Sequence, residues 1–228
     1  MSNNFTALVP MKGISERVPD KNIRTLNQKP ACHWVLESLS SSDYINEIIV
    51  NTDSEKIKDI VSIFEKVKVL DRADYLLGNE ISIQPLIEHD LGFSRNEFIL
   101  QTHSTNPLLT TKTIDLAIES YLQNISTHDS LMSVTPIKQR FYFQDGKAIN
   151  HDPRKLIQTQ LLEPIYHENS CMYIFSKQLN RALGSRIGSN PFFFEMNPFE
   201  ATDIDEWHDF HWAEYLLKNR NNLFAEHI

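Results

Sequence analysis

Phe5-Thr-Ala-Leu-Val-Pro-Met-Lys-Gly-Ile-Ser-Glu-Arg-Val-Pro-Asp-Lys-Asn22 is the stretch on which the fold turns. Its first five residues read as a buried strand that ends at Pro10. The strand runs straight into a loop holding Lys12, Arg17 and Lys21 together with Gly13, Ser15 and Asn22. In an α/β sheet, loops at the carboxyl ends of strands are where phosphate-bearing ligands bind. Glycine lets backbone amides approach an anion closely, and the cations stabilise its charge. The loop matches neither G-x-x-x-x-G-K-[ST] nor G-x-G-x-x-G, which excludes those two phosphate motifs. On composition alone, a solvated basic turn fits the same residues equally well.

Outward from this stretch, short β-type runs alternate with helical periodicity. Pro30 can open a helix at its first turn, with Ala31, Trp34, Val35 and Leu39 on one face. Residues 47–51 read as a second strand, and Ser54 as the N-cap of a helix carrying Ile57, Ile60, Val61 and Phe64. Residues 67–70 and 98–100 read as further strands, with 80–90 helical between them despite Pro85. Thr110 or Thr111 caps the cleanest amphipathic pattern, in which Ile114, Ala117, Ile118, Tyr121 and Leu122 are in register. A fifth strand follows at 130–134. Tandem strand–helix units with short links imply an α/β fold with a mainly parallel sheet, covered by helices on both faces.

From about residue 138 the style changes. Phe141-Tyr-Phe143, Asp145-Gly146 and Lys147-Ala-Ile149 read as a hairpin, with Asp-Gly in a type I′ turn. Residues 150–168 are polar and irregular. An excursion that long inside a compact domain serves function or an interface. Strand character returns at 172–175, and a last helix spans 206–218, with Phe210, Ala213, Leu216 and Leu217 available for burial. Residues 1–228 therefore read as one domain, with 138–170 as an insertion arm within it.

A chain of 228 residues can bury a core without disulfides or structural metal. Its 41% hydrophobic and 23% charged residues are those of an ordinary folded domain, which excludes global disorder. No apolar run approaches the roughly 20 residues of a membrane span. Met1-Ser-Asn-Asn-Phe5 lacks the basic and apolar regions of a secretory signal, so the expected location is the cytoplasm. A net charge of −8 argues against nucleic-acid and anionic-membrane partners. An anionic substrate then has to be drawn in by a local basic cluster. Cys32 and Cys171 lie in apolar segments and read as small buried hydrophobes.

The pattern V-P-x-K-G-x-S-x-R-x-P-x-K-N over residues 9–22, followed by Gln28-Lys-Pro30, resembles the N-terminal signature of acylneuraminate (CMP-sialic acid synthetase-like) cytidylyltransferases. Further resemblances follow in the family's order. They are Asn51-Thr-Asp53, Arg72 with Gly78 and Ser82, Thr105-Asn-Pro-Leu108, Tyr166-His-Glu-Asn169 with Tyr173, Arg186-Ile-Gly188, Glu195-Met196 and Ala201-Thr-Asp-Ile-Asp205. The resemblance implies a Rossmann-like nucleotidyltransferase (GT-A-like) fold whose insertion serves dimerisation. It implies transfer of CMP from CTP to an acidic keto-sugar, with Mg²⁺ as cofactor and pyrophosphate as product. Attack is expected in line, from the sugar's anomeric hydroxyl on the α-phosphorus.

The same resemblance distributes roles. Pro10, Lys12, Gly13, Ser15, Arg17, Lys21, Asn22, Arg72 and Ser82 are expected around the nucleotide, with Lys12, Arg17, Lys21 and Asp205 catalytic. His103, Thr105, Asn106, Gln158, Gln160, Tyr166 and Asn169 are expected near the sugar acid, and Asp203 and Asp205 on the metal. An i, i+2 pair in an extended segment points both carboxylates to one side, and Mg²⁺ prefers such hard oxygen donors. By spacing alone the pair also fits strand-end or cap aspartates. Asp209 is suited to the first turn of the last helix.

Several positions depart from the family pattern. Lys12 stands where arginine is usual, Glu16 and Leu109 where basic residues are, His103 for glutamine and Ser170 for glycine. These leave the acceptor open among nonulosonic acids such as N-acylneuraminate, legionaminate and pseudaminate. A glycosyltransferase using Asp203-x-Asp205 and a nucleotide-binding relative without catalysis are the alternatives. His208 and His211 imitate a metal site, but no third ligand has a recognisable spacing. Phe192-Phe-Phe194 and Phe141-Tyr-Phe143 read as a partner surface, hence a homodimer.

Overall fold

In the computed structural model, which describes residues 4–220, Phe5, Ala7 and Val9 pack into one core cluster and Leu8 into another. That split is the period of two that a strand imposes. β1 (Phe5–Leu8) feeds the basic loop, which closes on a small hairpin of β2 (Thr25–Leu26) and β3 (Lys29–Pro30). α1 (Ala31–Ser41), β4 (Ile45–Thr52), α2 (Glu55–Val61), β5 (Val67–Asp71), α3 (Ile83–Leu91), β6 (Phe98–Thr102), α4 (Thr111–Asn124) and β7 (Ser130–Ile137) follow. Then come β8 (Ile165–Ser176), α5 (Lys177–Leu183), β9 (Pro191–Glu195) and α6 (Trp207–Lys218).

Local chemistry explains the boundaries. Thr110 caps α4, its Oγ1 accepting the Thr113 backbone N–H at 3.1 Å. Pro85 falls in the first turn of α3, where an N–H has no partner within the helix. Glu206 caps α6, and Asp209 accepts the Asp205 and Glu206 backbone N–H groups at 3.0 and 2.8 Å. α2 stops at Val61, and Phe64 packs on the core from the turn that follows.

The main sheet has the order β5-β4-β1-β6-β8-β7-β9. β8 runs antiparallel to its neighbours and the other six strands share one direction, giving a mixed, mainly parallel sheet. α1, α2 and α4 contribute to one core cluster, α3 and α5 to the other. α6 closes a third cluster with Val18, Leu26, Ala31, Leu108 and Ile204. No helix among the described residues is long and apolar enough to cross a membrane.

Three sequence expectations need correction. First, strand structure resumes at Ile165, well before residue 172. Its first half is polar and carries an irregularity opposite Met132–Val134, where Ser170 has φ 58°. Asn169 stitches this bulge, accepting from Ser133 Oγ at 2.6 Å and the Cys171 N–H at 3.2 Å while donating to Thr135 Oγ1 at 3.1 Å. The irregular part of the 138–170 arm therefore ends at 164.

Second, the Asp145-Gly146 turn is not type I′. Gly146 has φ 84° while Asp145 is not in the positive region, and the Gly146 N–H donates to the Phe143 carbonyl at 2.9 Å. That is a three-residue loop with glycine in the left-handed position. The paired positive φ angles of a type I′ turn occur instead at Asn27 (46°) and Gln28 (78°). Third, Phe192-Phe-Phe194 is the core of edge strand β9, with Phe192 and Phe194 packed inward and Phe193 outward against Tyr166.

Candidate active site

β1, β4, β5 and β6 end side by side, and β1 sits between neighbours whose chain order reverses around it. Such a switch point opens a crevice at the carboxyl ends of the strands. Here it is a cleft of ≈ 600 Å³ lined by Pro10, Lys12, Ser15, Arg17, Lys21, Asn22, Arg72, Ser82, His103, Thr105, Asp203 and Asp205, among others.

The basic loop is shaped by short-range locks. The Gly13 N–H donates to Asp53 Oδ1 at 2.7 Å, and a Cβ on Gly13 would stand 2.8 Å from that of Ser54, so only glycine passes there. Asn22 is spent on scaffolding: Nδ2 donates to the Lys12 carbonyl at 2.8 Å, and Oδ1 accepts from Ser104 Oγ at 2.7 Å. Lys12 Nζ reaches Asn79 Oδ1 at 3.3 Å, while Asn79 Nδ2 donates to Glu16. Glu16 is exposed at the rim. Leu109, where the family resemblance expects a basic residue, is fully buried in the core.

Chain segments almost two hundred residues apart meet across this loop. Arg17 donates to Asp205 Oδ1 at 2.8 Å, and Lys21 Nζ to the same oxygen at 3.3 Å and to the Ile204 carbonyl at 2.6 Å. The loop after β6 clamps the acidic segment from the other side, through Ile204 N–H to the Thr105 carbonyl at 3.0 Å and Asn106 Nδ2 to the Thr202 carbonyl at 3.3 Å. Asp203 is more enclosed. Its Oδ1 is buried with no hydrogen-bond partner among the described residues. Burial pushes its carboxyl up from the ordinary carboxylate value, with Asp205 adding to the shift and Thr105 and Lys21 opposing it.

That donor set suits Mg²⁺. An orphaned buried carboxylate oxygen beside a second carboxylate gives two hard donors, and Mg²⁺ typically completes its shell with water and phosphate oxygens. Among the described residues no group of three or more His, Cys, Asp or Glu converges as zinc would require. His208 instead bonds Asp209 Oδ1 at 3.1 Å on the surface of α6.

A second network lies beneath the basic loop. Arg72 is buried and donates to Asn51 Oδ1 at 2.9 Å and to the carbonyls of Met11 and Asn51 at 3.2 and 2.9 Å. Asn51 Nδ2 in turn donates to Asp90 Oδ1 at 2.6 Å. Burial lowers the Arg72 guanidinium from its ordinary value, with Asp53 and Asp90 pulling it back.

His103 lines the cleft together with the acidic pair and Arg186. Burial pushes its imidazole down to about 4; Arg186 and Lys21 add to the shift, and Asp205 opposes it. A histidine with a depressed folded value contributes stability that is present above its ordinary value, near 6.5, and lost as pH falls toward 4. The wild type should therefore lose about 3 kcal/mol more than His103→Asn across that window. Urea unfolding at stepped pH checks this, and superimposable profiles would contradict it.

Other expected site residues lie outside the cleft lining. Asn106 is buried behind it, and Asn169 is fully engaged in the β8 bulge. Tyr166 donates to Glu195 Oε1 at 2.9 Å on the outer sheet edge. Gln158 and Gln160 bond each other at 2.6 Å on the exposed arm. Conversely, the cleft includes residues given no role from sequence: Asn79, Ser104, Ser170, Arg186 and an apolar wall of Leu76, Ile81, Ile83 and Leu86. Arg186 stood inside a recognised block. Asn79 carried no signal, because its partners are set only by the folding of the 78–82 loop over residues 12–16.

Known proteins resemble this chain in sequence and in fold. A family model described as cytidylyltransferase matches residues 6–224. The flagellin modification protein B of Campylobacter coli is 26% identical over 92% of this chain and 93% of its own. The pseudaminic acid cytidylyltransferase of Campylobacter jejuni is 24% identical over 95% and 98%. The 3-deoxy-manno-octulosonate cytidylyltransferase of Acaryochloris marina is 28% identical over 72% and 70%. Among solved structures, a CMP:2-keto-3-deoxy-manno-octonic acid synthetase complexed with CTP superposes with TM-score 0.68 at 13% identity, covering 95% of this chain and 99% of that one. The 4-diphosphocytidyl-2C-methyl-D-erythritol synthase of Anaerococcus prevotii gives 0.69 at 13%, covering 95% and 97%. The structural matches share the α/β fold.

Proposed function

The chain belongs to the cytidylyltransferase family, and from that premise we propose that it transfers CMP from CTP to an acidic keto-sugar of the nonulosonic class, releasing pyrophosphate in the cytoplasm. The observation that carries this reading is the meeting of Arg17 and Lys21 with Asp205 in one cleft. A nucleotide triphosphate needs cations for its phosphates and oxygen ligands for its metal within a few ångströms, and here both sets line the same walls.

Lys12, Arg17, Lys21 and Ser15 would hold the phosphates, and Leu76, Ile81, Ile83 and Leu86 offer an apolar wall for the base. Arg72 has its Nε and one terminal nitrogen committed to protein acceptors, which leaves the other for the nucleotide. Asp203 and Asp205 are the residues that would hold Mg²⁺, which when bound there would neutralise phosphate charge and make the α-phosphorus more electrophilic. Phosphoryl-type transfer depends on positioning and charge stabilisation more than on covalent chemistry, so a site rich in fixed donors is suited to it.

A homodimer is part of the same reading. The arm exposes Tyr142, Phe143, Leu156, Ile157 and Leu161, more apolar surface than an isolated excursion of this length would carry.

Pyrophosphate release measured with CTP against a panel of acid sugars tests the proposal, with UTP and ATP as controls. Pseudaminic acid and 3-deoxy-manno-octulosonate, the acids named for two of the relatives, head the panel, followed by N-acetylneuraminate and legionaminate. Release with CTP and one of these acids is expected. A glycosyltransferase would release none, and absence of release with every acid would overturn the reading.

A further inference from the structure

Arg186 is the half-buried cation of the cleft whose partners leave it open to an anion. Arg17 and Lys21 are both paired with Asp205, whereas no carboxylate stands within ion-pair distance of Arg186 among the described residues. Glu168 acts on it only from farther off. Its guanidinium lies 3.5 Å from the centroid of the Tyr173 ring, a stacked placement that an ammonium would not reproduce. The ring is itself anchored: Tyr173 OH donates toward Glu168, with Ser170 Oγ at 3.1 Å. Ser170 lines the cleft in a left-handed conformation, φ 58°, that favours glycine. A non-glycine residue held there is strain of the kind that concentrates at binding sites.

The hydrogen bonds of Gln101 carry the argument to His103. Arg186 Nη1 can only donate, so the Gln101 atom it meets is the carbonyl Oε1. The other end, Nε2, bonds the Thr102 carbonyl at 3.1 Å, which can only accept. With the amide fixed from both ends, Nε2 must donate to His103 Nε2, 3.4 Å away. His103 Nε2 is therefore the acceptor and Nδ1 holds the proton, with no partner for it among the described residues.

In a 2-keto acid sugar the carboxylate is attached to the anomeric carbon, so it must sit beside the attacking hydroxyl. His103, Asp205, Lys21 and Arg186 line the same cleft, and all three partners act electrostatically on the imidazole. Resting on the proposed transfer to an acid sugar, we propose that Arg186 and the Nδ1–H of His103 form the corner that takes the acceptor's carboxylate, with Gln101 as the positioning residue between them. Arg186 is then a determinant of acceptor specificity, and CTP binding does not depend on it.

The test compares, by pyrophosphate release, the acid of the panel that turns over and the carboxamide made from it, using the full chain. A hydrogen bond to a charged group predicts that Arg186→Gln raises the acceptor KM about 10–100-fold while the CTP KM stays within about twofold. The wild type should prefer acid over carboxamide by a similar factor, and Arg186→Gln should reduce that preference to below about threefold. Should Arg186→Gln fail to fold, Arg186→Lys decides, with the preference expected to fall at least about threefold because the planar fork is lost. In ¹⁵N spectra of the free protein, His103 should show the Nδ1–H form, and Gln101→Leu should shift it toward a mixture. Equal losses for acid and carboxamide, or a CTP KM that rises with the acceptor KM, would overturn the assignment while leaving cytidylyl transfer standing. If no acid of the panel turns over, the transfer reading falls, and this assignment with it.

Discussion

Asp205→Ala is expected to lower turnover about 1,000-fold, the scale of removing a group that fixes transition-state charge, while costing little stability. The second half of that expectation follows from exposure. The Asp205 and Arg17 side chains are 49% and 55% exposed, and surface ion pairs of this kind contribute roughly 0–1 kcal/mol. Lys21, though 17% exposed, keeps its 2.6 Å bond to the Ile204 carbonyl when the carboxylate is gone. Arg17 also retains Glu206 at 3.4 Å. What is lost is the one carboxylate oxygen that holds Arg17 and Lys21 together and the second hard donor beside Asp203. Chemical unfolding should therefore give a midpoint close to wild type, and the Mg²⁺ concentration for half-maximal rate should rise sharply. Turnover above a tenth of wild type with unchanged Mg²⁺ dependence would remove Asp205 from the site.

The split between legible and illegible features follows the range of the interactions. Where a residue's environment is set within a turn or two, the sequence reading holds in detail: Thr110 at its cap, Asp209 in the first turn of α6, the face of α4. Parallel strands buried on both sides also read plainly, because every residue of 48–50 is apolar and buried. The reading fails where polar residues are recruited by a distant partner. Glu168, Asn169 and Ser170 look like loop, yet β7 holds them in a strand whose polar atoms are satisfied across a bulge. Asn27-Gln28 carries no glycine, and the positive φ angles are imposed there by the closure of residues 25–30.

The site divides in the same way. The basic loop and the acidic pair were legible because each is concentrated in a short stretch. Their meeting depends on Lys21 bridging 183 positions to Ile204, and no local pattern encodes that. Arg186 and Gln101 are 85 positions apart and look unremarkable singly. Gln158 and Gln160 lie on the exposed arm, outside the residues that line the cleft.

Arg72→Ala should be the most damaging single change to the fold of the nucleotide side, costing about 3 kcal/mol, because it strips a donor from three buried acceptors at once. The guanidinium joins three chain segments: Met11 beyond β1, Asn51 in β4 and its own position beyond β5. Without it, Asn51 Oδ1 and two backbone carbonyls lose donors at a site only 8% exposed, and Asp53 and Asp90 lose the positive charge that faces them. Arg72→Lys should recover less than half of the loss, since one ammonium cannot meet acceptors that Nε and a terminal nitrogen reach separately. Asn51 keeps its bond to Asp90, but the Asp53 carboxylate that holds the Gly13 N–H at 2.7 Å loses the positive charge facing it. Damage should thus spread to the phosphate loop. At a temperature where the variant is still folded, the CTP KM should rise about tenfold or more, a loss of roughly 1.4 kcal/mol in binding. Urea denaturation measures the first effect and steady-state kinetics at low temperature the second. A variant that loses stability while keeping the wild-type CTP KM would make Arg72 a strut of the sheet alone and not a nucleotide ligand.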